Sequence, residues 1–556
     1  MDNSNNINIS SRLVYIFLKN HKLVTGLLLI LILIINLLKT NIISFISASI
    51  IRSIQNENKT DTYKFYYIFI IVSLSYIILN IIYRFGYAYY AIKMRNWTRY
   101  ELVNNLLNIN NEYYSDINFT NLQSPISRLS NTITYIFNAS VNTIIPSISQ
   151  FLIISIYFLY KNIILGFIFI LGNIFLILYI FFNFNAIKKK GIDYELGVEN
   201  IETNMVELLG NMDKIIFRGK KNDHIEDFKN NSNELINKGL RFYSTTLFHE
   251  LIINLILFLI IFSCIFYLIY LYYKNQINSI TFVTFITILL LYRDYIISAL
   301  KEISSSIEMI GRFISIGSYF KDMNIDQYYE NKDKKEILKK DLNFDTIKFE
   351  NINFKYKESK DWILNNFHLE MKMEGIIGIT GISGNGKSTF CKLLIKIYEY
   401  DGNIYIDNEN IKNINTDYIR NNIIYINQNL KLFDKSLKEN MLYGCTNDIE
   451  CKKYINELLE YPKIKQLYKN LEIENNKVGL MGDKLSGGQK QVINIINGLI
   501  TSSKIIILDE PTNGLDGDLK IEIINIIRYF KKYKKCIIII SHDKEIYNIF
   551  DKVIKI

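Results

Sequence analysis

Six stretches of this chain are each long and apolar enough to cross a bilayer, and no other feature limits its fold so strongly. Residues 23–38 read LVTGLLLILILIINLL, and with the residues up to Ile46 they form one span. Five more follow at 66–87, 142–160, 163–184, 247–273 and 280–297. A buried helix of a soluble protein explains any one such run, but not six in succession at about twenty residues each. The lipid bilayer is therefore the first predicted partner. Hydrophobic residues make up 49% of the 556, more than a cytosolic enzyme usually carries, and the length allows a second domain.

The connections between spans alternate between shorter and longer: 46–66, 88–141, Lys161 and Asn162 alone, 185–246, and a few residues around 274–279. The two longest must lie on one side of the membrane. With the N-terminus they carry seventeen Lys and Arg, against five on the other side (Arg52, Lys59, Lys64, Lys161 and Lys274). This bias predicts a multi-pass protein with both termini and both long loops in the cytoplasm. ELVNNLLNI and NMVELLGNM keep apolar residues at helical spacing, so the long loops are predicted to be helices continuing out of the membrane.

The net charge of +10 is spread along juxtamembrane lysines without an Arg-and-aromatic face, which argues against a nucleic-acid partner. The five cysteines (Cys264, Cys391, Cys445, Cys451 and Cys536) form no CxxC pair and no metal spacing. No disulfide and no zinc site are expected, and a reducing compartment is. The opening MDNSNNINIS lacks the basic region of a signal peptide.

Residues 1–320 are read as the membrane domain, the charged stretch 321–342 as a linker, and 343–556 as a second domain. There, short β-rich runs (IIGIT, IIYIN, KIIIL, CIIII) alternate with helical stretches, the pattern of a parallel α/β sheet. Between IIGIT and the helical FCKLLIKIY lies GISGNGKST, which matches GxxxxGK[ST]. Gly381, Ser383, Gly384, Asn385 and Gly386 let backbone N–H groups turn toward phosphates, and the helix that follows adds its positive end. Lys387 is placed to reach the β and γ phosphates, Ser388 offers a hydroxyl to Mg²⁺, and Thr389 completes the motif. KIIILDEPT puts Asp509 and Glu510 at the end of a buried strand, where an acidic pair is expensive unless it serves a metal or a water. Asp509 is assigned to the Mg²⁺ and Glu510 to the attacking water as general base. CIIII delivers Ser541 and His542 to the same sheet edge, giving His542 a γ-phosphate role.

With LSGGQ at 485–489, these motifs resemble, in order and spacing, the nucleotide-binding domain of ATP-binding cassette (ABC) transporters. The whole chain resembles an exporter-type half-transporter: an α-helical six-span membrane domain followed by an α/β P-loop NTPase (ABC-type ATPase) domain. The resemblance implies ATP and Mg²⁺ as cofactors. It implies that Tyr356 stacks on adenine and that Gln428 senses Mg²⁺ and the membrane domain. It also implies that residues 513–516 (NGLD) cross to a partner and that VGLMGDK touches the membrane domain's cytoplasmic loops. Ser486, Gly487, Gly488 and Gln489 would close on the nucleotide of a second half-transporter chain, identical or not. Regions 115–123 and 210–217 are the candidate coupling contacts. The function implied is ATP-hydrolysis-driven export of an unidentified substrate by a dimer with composite ATP sites. The alternative is a non-transporting ATP-gated channel or regulatory subunit, whose mark would be loss of Glu510 or His542; both are present.

The chain departs from the pattern at Val492, where many members have Arg, at INGLI, and in having only fourteen residues after His542. Different packing of the helix after the signature is the expected consequence. Arg84, and Arg293 with Asp294, are charges in or near spans; they either face a wet interior or snorkel to the interface.

Overall fold

Three helices run far beyond what a bilayer needs. In the computed structural model, which describes residues 3–108, 123–317, 341–356, 359, 361–381, 386–428, 431–469 and 471–556, the described residues of the first half form helices joined by short turns. Its elements are α1 (Asn3–Asn20), α2 (Lys22–Asn36), α3 (Ile43–Gln55), α4 (Lys59–Asn108), α5 (Gln123–Ala139), α6 (Ile145–Lys161), α7 (Ile163–Gly210), α8 (Met212–Phe217), α9 (Lys221–Tyr273) and α10 (Ser279–Gly317). Among the described residues, six helical segments are long and apolar enough to span. At a rise of about 1.5 Å per residue, α4, α7 and α9 are roughly two and a half times as long as a bilayer core is thick. The described parts of the long loops are thus helical extensions.

The first connection is shorter than the sequence reading gave. Helices α3 and α4 consume both of its sides, leaving a turn at residues 56–58 with Glu57 in the left-handed region at φ 53°. Polar residues end an apolar run without ending its helix, so hydropathy placed this boundary too early. The Lys161–Asn162 turn is as tight as expected, with Asn162 Oδ1 accepting from Leu165 N–H at 3.0 Å.

Two turns of the membrane helices are π-helical, Leu37–Ile42 between α2 and α3 and Ser140–Ile144 between α5 and α6. The span core is aromatic: Phe158 packs edge-to-face on Phe169 and Phe285, and Phe169 on Tyr292. Farther along, the fully buried Glu195 of α7 accepts from Arg128 of α5 and Arg312 of α10, tying three helices together.

The second compact unit carries two sheets. Strands β1 (Thr346–Phe354), β2 (Leu364–Lys372), β4 (Asp401–Ile406) and β5 (Glu409–Asn410) form an antiparallel sheet in the order β2-β1-β4-β5. Strands β3 (Gly375–Thr380), β6 (Ile423–Ile426), β7 (Ile505–Asp509), β8 (Cys536–Ile540) and β9 (Lys552–Lys555) form a parallel sheet in the order β6-β7-β8-β3-β9. Every residue of β7 and β8 is buried, as strands covered on both faces require. Around the sheets lie α11 (Lys387–Leu394), α12 (Thr416–Asn422), α13 (Leu437–Met441), α14 (Asp448–Leu459), α15 (Pro462–Leu467), α16 (Gly487–Ile500) and α17 (Gly517–Phe530). Val492 is fully buried in the core under α16, so that substitution has become packing.

The sequence leads to no expectation of a disulfide, yet the fold brings Cys445 and Cys451 side by side, with Cα atoms 6.7 Å apart. Gly444, at φ 78°, turns the chain so that Cys445 meets the first turns of α14, a closeness that six-residue spacing does not reveal. The proposed linker lies almost wholly outside the described residues, as do 115–122 of the first coupling region. The second coupling region, 210–217, is the end of α7 and the short α8.

Candidate active site

Parallel strands deliver their C-terminal ends to one edge, and here β3, β7 and β8 do so side by side. After β3, Gly386 adopts φ 83°, a conformation natural to glycine, and a Cβ there would come within 2.9 Å of Ile363 Cγ2. The chain then enters α11 with Lys387 and Ser388 in its first turn. Ser383, Gly384 and Asn385 lie outside the described residues. Lys387 Nζ donates to the Gly381 carbonyl at 3.0 Å, which holds the ammonium close to the loop it would serve.

Asp509, the last residue of β7, accepts from Ser388 Oγ at 2.8 Å and from Tyr425 OH at 2.5 Å. Burial, and then the adjacent Asp509 carboxylate, raise the Tyr425 phenol far above its ordinary pKa, so it remains a donor. Sequence reasoning missed Tyr425. It precedes Gln428 in YINQN, but only the register of β6 beside β7, with Tyr425 opposite Ile507, brings it to Asp509.

Glu510 follows in the left-handed region at φ 50°, a costly conformation for a residue with a side chain. Its surroundings fix it there. Its N–H donates to the Ile540 carbonyl at 2.8 Å, and its carbonyl accepts from Asn513 N–H at 3.2 Å and Gln491 Nε2 at 3.1 Å. Its carboxylate faces the end of β8: Ser541 Oγ is 3.4 Å and His542 N–H 3.5 Å from Oε2, and His542 Nε2 is 3.7 Å from Oε1. About half of the His542 side chain is exposed, so its ring can reach a ligand.

A cleft of about 900 Å³ joins these groups. Tyr356, Lys387, Ser388, Thr389, Gln428, Asp509, Glu510 and His542 all line it. The Tyr356 hydroxyl bonds Thr389 Oγ1 at 2.8 Å, and its ring stands edge-on to Phe354 and Tyr398. The cleft also takes in Thr512, Lys520 and Asp543, which the motifs did not single out. Asp543 accepts from Thr512 Oγ1 at 2.9 Å and pairs with Lys520 at 2.6 Å. Burial alone would raise its pKa, but Lys520 and the Glu545 N–H outweigh that and hold it below the usual carboxylate range.

A magnesium nucleotide fits this donor set. The hydroxyl and carboxylate of Ser388 and Asp509 already adjoin, both hard oxygen ligands, and Lys387 and the helix N-terminus supply positive charge for phosphates. Among the described residues no group of three or more His, Cys, Asp and Glu forms a cage, so an ion here would share its coordination with phosphates and water.

The signature residues lie elsewhere. Ser486 caps α16: its Oγ accepts from Gln489 N–H at 3.2 Å, and Gln489 Oε1 accepts from Ser486 N–H at 2.9 Å. Neither these two nor Gly487 and Gly488 line the cleft of their own chain. A Cβ on Gly487 would meet nothing within 4 Å.

The family model described as ABC transporter transmembrane region matches residues 24–295, and that described as ABC transporter matches 364–513. A Rickettsia typhi protein named as an export ATP-binding/permease protein is 37% identical over 199 residues, 35% of this chain and 34% of its own length. A Haemophilus influenzae protein named as an ABC transporter ATP-binding/permease protein is 34% identical over 215 residues, 38% of each chain. The aligned stretches thus span little more than a third of these relatives. The solved structure of a bacterial Atm1-family ABC exporter with ATP bound has the same fold, with a TM-score of 0.81 at 16% identity over 97% of this chain and 93% of its own.

Proposed function

We propose that this chain, which belongs to the ABC transporter family and joins its membrane region to its ATPase domain, is half of an exporter driven by ATP hydrolysis at sites shared between two copies. One observation carries the reading. Lys387 and Ser388, the acidic pair and His542 meet in one cleft, while the exposed signature cap is absent from that cleft.

Each side chain then has a task. Lys387 and the α11 N-terminus hold the nucleotide's phosphates, and Tyr356 and Thr389 flank its entry. Ser388, Asp509 and Gln428 would hold Mg²⁺, which supplies charge neutralisation across the β and γ phosphates. Glu510 takes the proton of the attacking water, and His542 contacts the γ-phosphate. Ser486, Gly487, Gly488 and Gln489 of the second copy close the site, so that ATP favours the closed dimer over the open one. Without such differential affinity, binding would shift nothing. The charge bias supports a cytoplasmic location for both termini and the ATPase domain.

Glu510→Gln, in the full chain purified in lipid, tests the assignment. The amide cannot accept a proton, so the variant should bind ATP as the parent does while turnover falls by about a thousandfold or more. Hydrolysis at the parental rate would remove Glu510 from its role.

A further inference from the structure

The membrane unit holds a cavity of about 680 Å³ lined in part by polar side chains, and both of these π-helical turns reach it. Lys39 lies in one π turn and Asn142 in the other, and both line the cavity together with Asn36, Tyr83, Arg84 and Tyr295. Such widened turns re-aim side chains that a regular helix would direct elsewhere, and they recur at functional sites. The neutral groups are already organised. Tyr83 OH donates to Asn142 Oδ1, Asn142 Nδ2 donates to Asn138 Oδ1 at 2.6 Å, and Tyr295 OH donates to Asn36 Oδ1 at 3.2 Å.

The charges are unbalanced. Asp294 lines the cavity, but Arg293 engages one of its oxygens through Nε at 3.1 Å and Nη2 at 2.9 Å. Lys39 and Arg84 form no ion pair among the described residues; the Lys39 ammonium stands 5.5 Å from the centre of the Tyr295 ring. Both side chains are exposed, and both line the same concave, amide-rich volume. Two uncompensated cations within apolar helices are costly unless water or a ligand meets them.

We infer that this cavity is a cargo site for an organic anion, whose acidic group is held by Lys39 and Arg84 and whose remainder is bonded by the Tyr–Asn network. This rests on the exporter reading and names the chemical class of its substrate.

Binding can be read without hydrolysis. The full chain in phosphatidylcholine nanodiscs, without ATP, is titrated against carboxyfluorescein, an organic anion, and rhodamine 123, a cation on a related frame, by fluorescence anisotropy. The anion should bind saturably and the cation should not. Lys39→Gln and Arg84→Gln should each weaken the anion by about tenfold or more, and Arg84→Lys should recover most of the loss. Equal binding of both dyes, no saturable binding of the anion, or glutamine variants that bind like the parent would overturn the inference. Phosphatidylglycerol added to the nanodiscs identifies the source of the anion: displacement of the dye assigns the site to a lipid headgroup, and undisturbed binding to a soluble anion. ATPase activity measured on the same samples separates the two readings. An active parent that fails the dye titration contradicts the cargo site alone, and an inactive parent that passes it contradicts the motor alone.

Discussion

Gln491 donates one side-chain amide to two consecutive carbonyls, those of Glu510 at 3.1 Å and Pro511 at 3.0 Å. It sits in α16 just after the signature, so the helix that would meet a partner's nucleotide also holds Glu510, the proposed general base, in its left-handed conformation. Gln491→Leu would leave both carbonyls without that donor, costing about 1–3 kcal/mol of stability. More diagnostic is the kinetics. The turnover rate should fall by about tenfold or more while the KM for ATP changes little, because the phosphate-binding residues are untouched. Steady-state ATPase assays decide this, and an unchanged turnover rate would show that Gln491 serves packing alone.

Glu195 is fully buried between Arg128 and Arg312, and Arg128 also pairs with Glu202 at 2.6 Å. Removing the buried carboxylate leaves Arg312 without that counter-charge and Arg128 with Glu202 alone, so Glu195→Ala should lower stability by about 3 kcal/mol or more, whereas removal of the more exposed Glu202 in Glu202→Ala should cost under about 1 kcal/mol. Thermal unfolding of the full chain in detergent compares them. Equal effects would show that Glu195 is not the anchor of these three helices.

Lys534 Nζ is buried and donates to the carbonyls of Thr501 and, at 3.2 Å, Ser503. Burial lowers its pKa to about 8. Between roughly pH 8 and 10 the unfolded chain keeps a proton that the folded chain has released, so this residue's contribution to stability rises with pH through that window. Below it both states are charged and the penalty for the buried ammonium is present in full. Relative to Lys534→Met, the parent should gain about 2 kcal/mol between pH 7.5 and 9.5, read by pulse proteolysis in urea. A flat difference would mean that the amine stays charged throughout.

Much of this was open to reading from the chain because it depends on local pattern. The apolar runs, the glycine-rich turn between a strand and a helix, and an acidic pair ending an aliphatic strand each declare themselves within about twenty residues. The rest depends on which distant segments become neighbours. Tyr425 reaches Asp509 through strand register, Gln491 reaches Glu510 across the fold, and Cys445 reaches Cys451 through a glycine turn. The π turns at Lys39 and Asn142 leave no mark in hydropathy, since the helix continues through them.

Whether two chains share each ATP site is tested most directly by pairing two defective chains. Lys387→Ala damages the phosphate loop. Gly487→Asp adds a side chain where this chain offers nothing within 4 Å, so its harm falls on whatever closes over the signature. The two variants, differently tagged and co-expressed, are isolated as mixed dimers. If the signature serves the partner, one site collects both lesions and the other is whole; if it serves its own chain, every site keeps one lesion. The account predicts that the mixed dimer traps nucleotide at one site and regains ATPase activity that neither variant has alone. A stable mixed dimer that neither traps nucleotide nor hydrolyses it would contradict shared sites.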